Sequence, residues 1–302
     1  MNTSNLYKKD FFFEKFSKIG EDIRISFELF PSKDNFSEKK LWNTIQKLKL
    51  FNPIFFSVTH GANSGNENLT YSLVKKIKKV TNINSAPHLT CSDFTKVELK
   101  KIAQKYWENG ISQIVALRGD ELEGSSKSKM EAFDLVCLLK EVANFDISVA
   151  AYPEVHPKAK SAHSDILNLK NKLDAGANRA ITQFFFKIDH YLHFRDKCFS
   201  IGIKKDIVPG ILPIYNFDQL LRFAKLGKVS IPKGIQNTFE NFKNDIDICK
   251  IIGSNIMLEM VYTLFKEGVR HFHFYTLNRL EIVYLICCIV NQISFKKINT
   301  GF

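Results

Sequence analysis

Eight short runs rich in β-branched and aromatic residues punctuate the chain, and a segment of helical period follows each one. The runs are IRISFELF (23–30), PIFFSVTH (53–60), SAPHLTC (85–91), QIVALRG (113–119), DISVAAYP (146–153), RAITQFFF (179–186), DIVPGILP (206–213) and VRHFHFYT (269–276). Six of the seven intervals between their ends are 27 to 34 residues, the length of one strand, one helix and two loops. The last interval, 63 residues, leaves room for an extra helix pair. Between the runs, Leu99, Ile102, Ala103 and Tyr106 recur at i, i+3, i+4 and i+7, and Leu69, Leu73, Ile77 and Val80 do the same with lysines on the other side. NENLT and DFTKVE supply helix-starting residues, and Gly110, Gly176, Gly202 and Gly268 sit where helices should stop.

Eight alternating β and α units predict a parallel sheet, and eight is the number that closes on itself. The expected fold is therefore a single-domain (β/α)8 barrel over residues 1–302. It carries an N-terminal helical extension over residues 1–20 and extra helices before the last strand. An open doubly wound sheet is the alternative, disfavoured because no GxGxxG follows any strand.

Composition changes this picture little. Hydrophobic residues make up 45% and charged residues 25%, as in ordinary globular proteins. The net charge of +12 raises a nucleic-acid partner, but only 7 of the 43 basic residues are arginine and the lysines scatter over helix faces. A solvated surface is the simpler expectation. Six cysteines without CxxC or metal-ligand spacing predict free thiols in a reducing cytoplasm. No signal-peptide pattern opens the chain, and the longest uninterrupted apolar run, Ile282 to Val290, is far short of a membrane span. The expectation is a soluble, cytoplasmic protein.

In such a barrel the active site lies at the C-terminal ends of the strands. Those ends are polar throughout: Glu28, Thr59 with His60, His88, Arg118 with Asp120, Tyr152 with Glu154 and His156, Gln183, Asn216 with Gln219, then His273, Tyr275 and Arg279. Glu28, flanked by Phe27 and Leu29, is the type of carboxylate whose pKa rises into general-acid range. Asp120 reads either as a functional carboxylate or as a helix cap, and Gln183 either as a ligand contact or as a satisfied core amide. His271 and His273 share one strand face, which raises a metal-dependent hydrolase, though no third ligand or carboxylated lysine lines up. A barrel that only binds is the other alternative.

SFELFP, SVTHGANSG, APHLTC, VALRGD, SVAAYPEVHP, DAGANRAITQFFF, PGILP and HFHFYTLNR, spread in order over residues 23 to 279, resemble the bacterial methylenetetrahydrofolate reductases. The resemblance implies a barrel that holds FAD, is reduced by NADH and reduces 5,10-methylenetetrahydrofolate to 5-methyltetrahydrofolate in a ping-pong cycle serving methionine synthesis. It implies catalytic roles for Glu28, as general acid, and Asp120. It implies FAD or NADH contacts at Thr59, His60, Ala62, His88, Arg118, Gly119, Asp120, Ala132, Tyr152, His156, Ala159, Asp165, Asn168, Asn171 and Lys172. Folate contacts are implied at Asp120, Gln183, Gln219, Phe223 and Arg279, with no metal and a homotetramer as the assembly. Two positions depart from the family pattern: His60 stands where tyrosine is expected, and Asn171 where an arginine near the FAD phosphates is expected. Lys170 and Lys172 are placed to compensate at the second.

Overall fold

The computed structural model describes residues 23–32, 34–60, 67–119 and 129–291. Asp120, Ala62 and the 1–20 extension lie outside them. Nine strands form one parallel sheet: β1 (Arg24–Leu29), β2 (Phe55–Val58), β3 (Ser85–Thr90), β4 (Gln113–Leu117), β5 (Asp146–Ala151), β6 (Arg179–Thr182), β7 (Asp206–Val208), β8 (Gly210–Ile211) and β9 (His271–Tyr275). Their order is β7-β6-β5-β4-β3-β2-β1-β9-β8. The two ends of that order, β7 and β8, are consecutive pieces of the seventh predicted run. The sheet is thus a barrel with its seam in that run. Pro209 makes the break: it has no N–H for a ladder, so β7 pairs with β6 while β8 pairs with β9, and the Pro209 carbonyl accepts from His273 N at 3.1 Å. Where the sequence predicts one long seventh strand, the chain uses two short ones.

The helices are α1 (Asn35–Leu48), α2 (Glu67–Thr81), α3 (Lys96–Glu108), α4 (Ala132–Val142), α5 (Ala162–Asp174), α6 (Ile188–Ser200), α7 (Phe217–Gly227), α8 (Lys233–Asn241), α9 (Ile246–Lys266) and α10 (Glu281–Asn291). Three of them, α7 to α9, fill the long interval before the last strand. Caps match local chemistry: Asp34 accepts from Phe36 N and Ser37 N, and Thr95 with Glu98 forms a capping box on α3. The four predicted stop glycines all take positive φ, from 72° to 118°. On α3 the predicted face is buried at Leu99, Ala103 and Tyr106. On α2 the buried stripe is Thr70, Leu73, Val74 and Ile77, and Leu69 and Val80 are exposed flanks.

Alternation along each strand separates two cores. Outward-facing Ile25, Phe27, Leu29, Phe56, Val58 and Leu89 join the helices in the large shell. Inward-facing Phe55, Ala86, Val115, Ile181 and Val208 form a small plug inside the barrel. The plug closes the barrel beneath the strand C-termini, so polar side chains above it face a dry floor. The 21-residue α9 is long and apolar enough to cross a membrane by length and composition, as many core helices are. Its Gly253, Met257, Val261 and Leu264 are buried against the barrel. A search for unbroken apolar runs passes over it because Lys250, Ser254 and Glu259 interrupt it.

Candidate active site

Glu28, Ser26 and Arg24 share the inward parity of β1, so the acid stands at the top of that row. It is 8% exposed. Burial in apolar surroundings pushes its pKa up to about 8. It lines a cavity of about 130 Å³ together with His88, Leu117, Ala150, Tyr152, Gln183, His273 and Tyr275 among others. His88 Nε2 lies 3.6 Å from Glu28 Oε2. Burial pulls the His88 pKa down to about 3, so both groups are neutral near pH 7.

Tyr275, the register partner of Glu28 on β9, reaches across the seam and donates its hydroxyl to the Thr182 carbonyl at 2.7 Å. Gly210 N donates to Thr182 Oγ1 at 3.0 Å. A Cβ at Gly210 would collide with the Thr182 carbonyl and the Tyr275 ring. The bare glycine is what lets the ring lie over the broken strand. The next residue after Thr182 is Gln183, whose Oε1 accepts from Phe184 N at 3.1 Å. Its amide therefore faces the cavity from a position fixed by the seam.

Below the acid, Ser26 Oγ bonds His271 Nε2 at 3.0 Å and His273 Nδ1 at 2.8 Å. The histidine pair that raised a metal site is thus joined by a serine hydroxyl. Among the described residues no group of three His, Cys, Asp or Glu side chains is arranged to hold a metal ion.

Above the acid a wider cavity of about 610 Å³ is lined by Phe30, Asn216, Asp218, Gln219, Arg222, Phe223, Leu277 and Arg279. Asn216 caps α7 by accepting from Gln219 N, and Gln219 Oε1 in turn accepts from Tyr215 N at 2.8 Å. The Arg279 guanidinium lies 3.8 Å over the Tyr215 ring. Arg279 is delivered by a loop in which Leu277 and Asn278 both have φ 55°. Asn278 holds that loop to the end of β1 by a reciprocal pair, accepting from Phe30 N and donating to Phe30 O.

The third group lies at the tips of β4 and β5. Arg118 faces Glu131, next to Ala132 at the start of α4, at 3.3 Å. Tyr152 and His156 meet edge to face at 4.5 Å, and Asp165 accepts from His156 N at 2.8 Å. Ala159 N closes the same loop onto the His156 carbonyl. Lys172 is 7% exposed, with Nζ donating to the Ala150 carbonyl, and burial lowers its pKa to about 8. A dry ammonium beside a neutral carbonyl, with Arg118 and His156 nearby, suits an anionic ligand such as a diphosphate. The buried Thr59 Oγ1 and His88 Nε2 have no protein partner. Gly119, at φ 92°, comes so close to Ser92 and Thr90 that any Cβ would collide with them. The Thr59 hydroxyl and the close backbone fit a flavin dinucleotide.

The structure places the two family departures differently. His60 is buried, edge to face with Phe94, and its Nε2 lies 3.8 Å from Asp93. Asn168 and Asn171 are exposed on α5. Beside Asn171, Lys170 pairs with Asp174 at 2.6 Å and Lys172 Nζ donates to the Ala150 carbonyl at 2.8 Å. Sequence reasoning passed over Ser26, Ser57 and Thr182 as site residues. Counting back by two from Glu28 finds Ser26; nothing local marks the other two.

The chain matches the model of the methylenetetrahydrofolate reductase family over residues 14–291. It belongs to that family. It is 55% identical over 287 residues to the 5,10-methylenetetrahydrofolate reductase of Buchnera aphidicola subsp. Schizaphis graminum, covering 95% of this chain and 98% of that protein. To the Escherichia coli K12 enzyme of the same name it is 54% identical over 280 residues, covering 93% and 95%. Among solved structures, a Clostridium thermocellum protein described as binding two copies of 5-methyl-5,6,7,8-tetrahydrofolic acid superposes with a TM-score of 0.63 at 16% identity, covering 93% of this chain and 99% of that one. At that identity the likeness speaks to the fold, a barrel.

Proposed function

We propose that this member of the reductase family reduces 5,10-methylenetetrahydrofolate to 5-methyltetrahydrofolate, with NADH as donor and FAD as carrier. One observation carries the mechanism: a buried carboxyl, its pKa raised to about 8 by burial, lines a cavity at the barrel mouth. Glu28 protonates the folate amine nitrogen, the bridging C–N bond breaks, and the electron pair stays with that nitrogen. This leaves an iminium cation that accepts hydride at carbon. Bound flavin supplies the two-electron carrier between NADH and folate in a ping-pong cycle.

The chain's own residues do the rest. Arg118, His156 and Lys172 hold the anionic end of the cofactor, with Thr59, His60, His88, Gly119, Tyr152, Ala159, Asp165 and Asn168 along its length. Gln183 contacts each ligand in turn. Gln219, Phe223 and Arg279 hold folate in the wide cavity. Asp120 is assigned the charge that favours the cation. NADH and folate sharing one face is consistent with the missing dinucleotide fingerprint.

Anaerobic stopped-flow measurement of the two half-reactions tests this. Glu28→Gln keeps the shape and removes the acid. Reoxidation by methylenetetrahydrofolate should slow roughly 10²–10⁴-fold while reduction by NADH is unchanged. Equal slowing of both half-reactions would refute the role, and a colourless purified protein that takes up no flavin would refute the cofactor.

A further inference from the structure

Glu28 needs a proton on its carboxyl before folate arrives, in a cavity that offers few places for that proton to point. The groups that face it can be named strand by strand. On β2 its register partner is Ser57, uncharged, with Oγ buried and unpartnered; His60 follows the strand. On β3 there is His88, on β5 Tyr152, and on β9 His273 and Tyr275. Tyr275 has its hydroxyl committed to Thr182, and His273 has its Nδ1 on Ser26. No cation lines the cavity among the described residues.

His88 differs from Tyr275 and His273. Its Nε2 is fully buried without a hydrogen-bond partner among the described residues, and it lies 3.6 Å from Glu28 Oε2. That separation is longer than a hydrogen bond, as catalytic hydrogen bonds commonly are in ligand-free structures. An imidazole nitrogen left dry is costly unless it finds a donor. A carboxylic acid is that donor, provided the ring carries its own proton on Nδ1.

We propose that His88 is a positioning residue for Glu28: its Nε2 receives the hydrogen bond of the carboxylic acid and holds the proton in the cavity until a substrate nitrogen takes its place. This rests on the reading of Glu28 as the acid. Both groups are neutral near pH 7 because both are desolvated, so acid donor and imidazole acceptor are complementary, whereas transfer of the proton would put two charges in a dry site. During turnover the proton passes from Glu28 oxygen to the substrate nitrogen, the carboxylate remains, and a solvent proton restores the acid. His88 stays neutral throughout, and no electrons move in this step.

Bonding to the acid form favours that form, so His88 raises the pKa of Glu28 beyond what burial alone achieves. His88→Leu removes the acceptor. In single turnovers of prereduced enzyme with methylenetetrahydrofolate, the rate falls as pH rises through the pKa of Glu28. That falling limb should move about one pH unit lower in His88→Leu, roughly a tenfold loss on the limb. The position of the limb is the readout, because its height would also respond to any change in flavin seating. If the variant holds flavin poorly, the carboxylic C=O band of Glu28, identified by its loss in Glu28→Gln, gives the same titration in the infrared on both proteins without turnover. A limb or band that titrates at the wild-type pH, or higher, overturns the proposal. If Glu28→Gln itself leaves the folate half-reaction unchanged, the acid assignment falls and this inference falls with it. If Glu28→Gln abolishes that reaction but His88→Leu leaves the titration in place, only the inference falls.

Discussion

The two cavities at the barrel mouth share the chain segments that run out of β1 and β9, one step apart. Glu28 and Tyr275 line the inner one, while Phe30 and Leu277, two residues further along each chain segment, line the outer one. The inner cavity, about 130 Å³, rests on the apolar plug and holds an acid and an imidazole with pKa values displaced toward neutrality of both groups. The outer one, about 610 Å³, is bordered by Asp218, Arg222 and Arg279, none of which is buried. A step of two residues thus separates a place for moving a proton from a place for recognising a ligand. Proton chemistry needs desolvation to bring a carboxyl near working pH, whereas recognition of a flat, charged ligand needs an arginine and aromatics that water can reach.

The largest expected effect tests the inner half of this contrast. Folded protein keeps Glu28 protonated up to about pH 8, while the unfolded chain releases that proton near 4.5. Between those values the folded state binds the extra proton, so this residue makes stability fall as pH rises through the window. His88 and His273 act in the opposite sense. With folded pKa values of about 3 against 6.5 unfolded, they withdraw stability as pH falls below 6.5. Glu28→Gln isolates the first contribution. Urea denaturation should show wild type and variant equal near pH 4.5, and the variant more stable by about 4 kcal/mol at pH 8. Parallel stability curves over that range would mean that the cavity is wet and Glu28 ordinary.

The outer half should respond to mutation without any such pH signature. Arg279→Ala removes a guanidinium stacked on Tyr215 but no buried titratable group. We expect folate KM to rise about tenfold, as for loss of one charge-assisted contact. The NADH half-reaction and the pH dependence of stability should stay as in wild type. If the pH limb of the folate step moves as well, the two cavities are not separate in function.

The barrel was legible because its signal is local and repeated: eight runs at even intervals, with helical faces between them. Pro209 was visible in the seventh run, but only the pairing of β7 with β6 and β8 with β9 shows that it divides a strand across the seam. Glu28 was legible for a related reason, as strand alternation forces it to the face of Ser26. The Ser26–His271–His273 cluster was not. It joins residues 245 and more apart in sequence, which meet only when the barrel closes. Burial, which sets the state of Glu28, His88 and Lys172, is likewise a property of the closed barrel and not of any motif.

The smallest effect concerns the region where sequence and geometry pull apart, the outer face of α5. Ile166, Leu169 and Leu173 turn inward, and Lys172 beside them is buried with its ammonium on Ala150. Asn168 is exposed at one edge, and Asn171, three residues on, lies further round toward solvent. An arginine at 171 would start from that exposed position and fold its side chain back past Asn168 toward the Arg118, His156 and Lys172 cluster. Its fork would add a charge-assisted contact to a phosphate where asparagine offers a neutral amide. Lys170, one residue before, is paired with Asp174 at the surface. Because the new contact would be solvent-exposed, we expect Asn171→Arg to retain FAD only about fivefold longer on dilution, near 1 kcal/mol, with the gain shrinking as salt is raised. Flavin fluorescence released with time, at two salt concentrations, reads this directly. Equal release from both proteins at low salt would place the cofactor's phosphates out of reach of position 171 and remove Asn171 from the site.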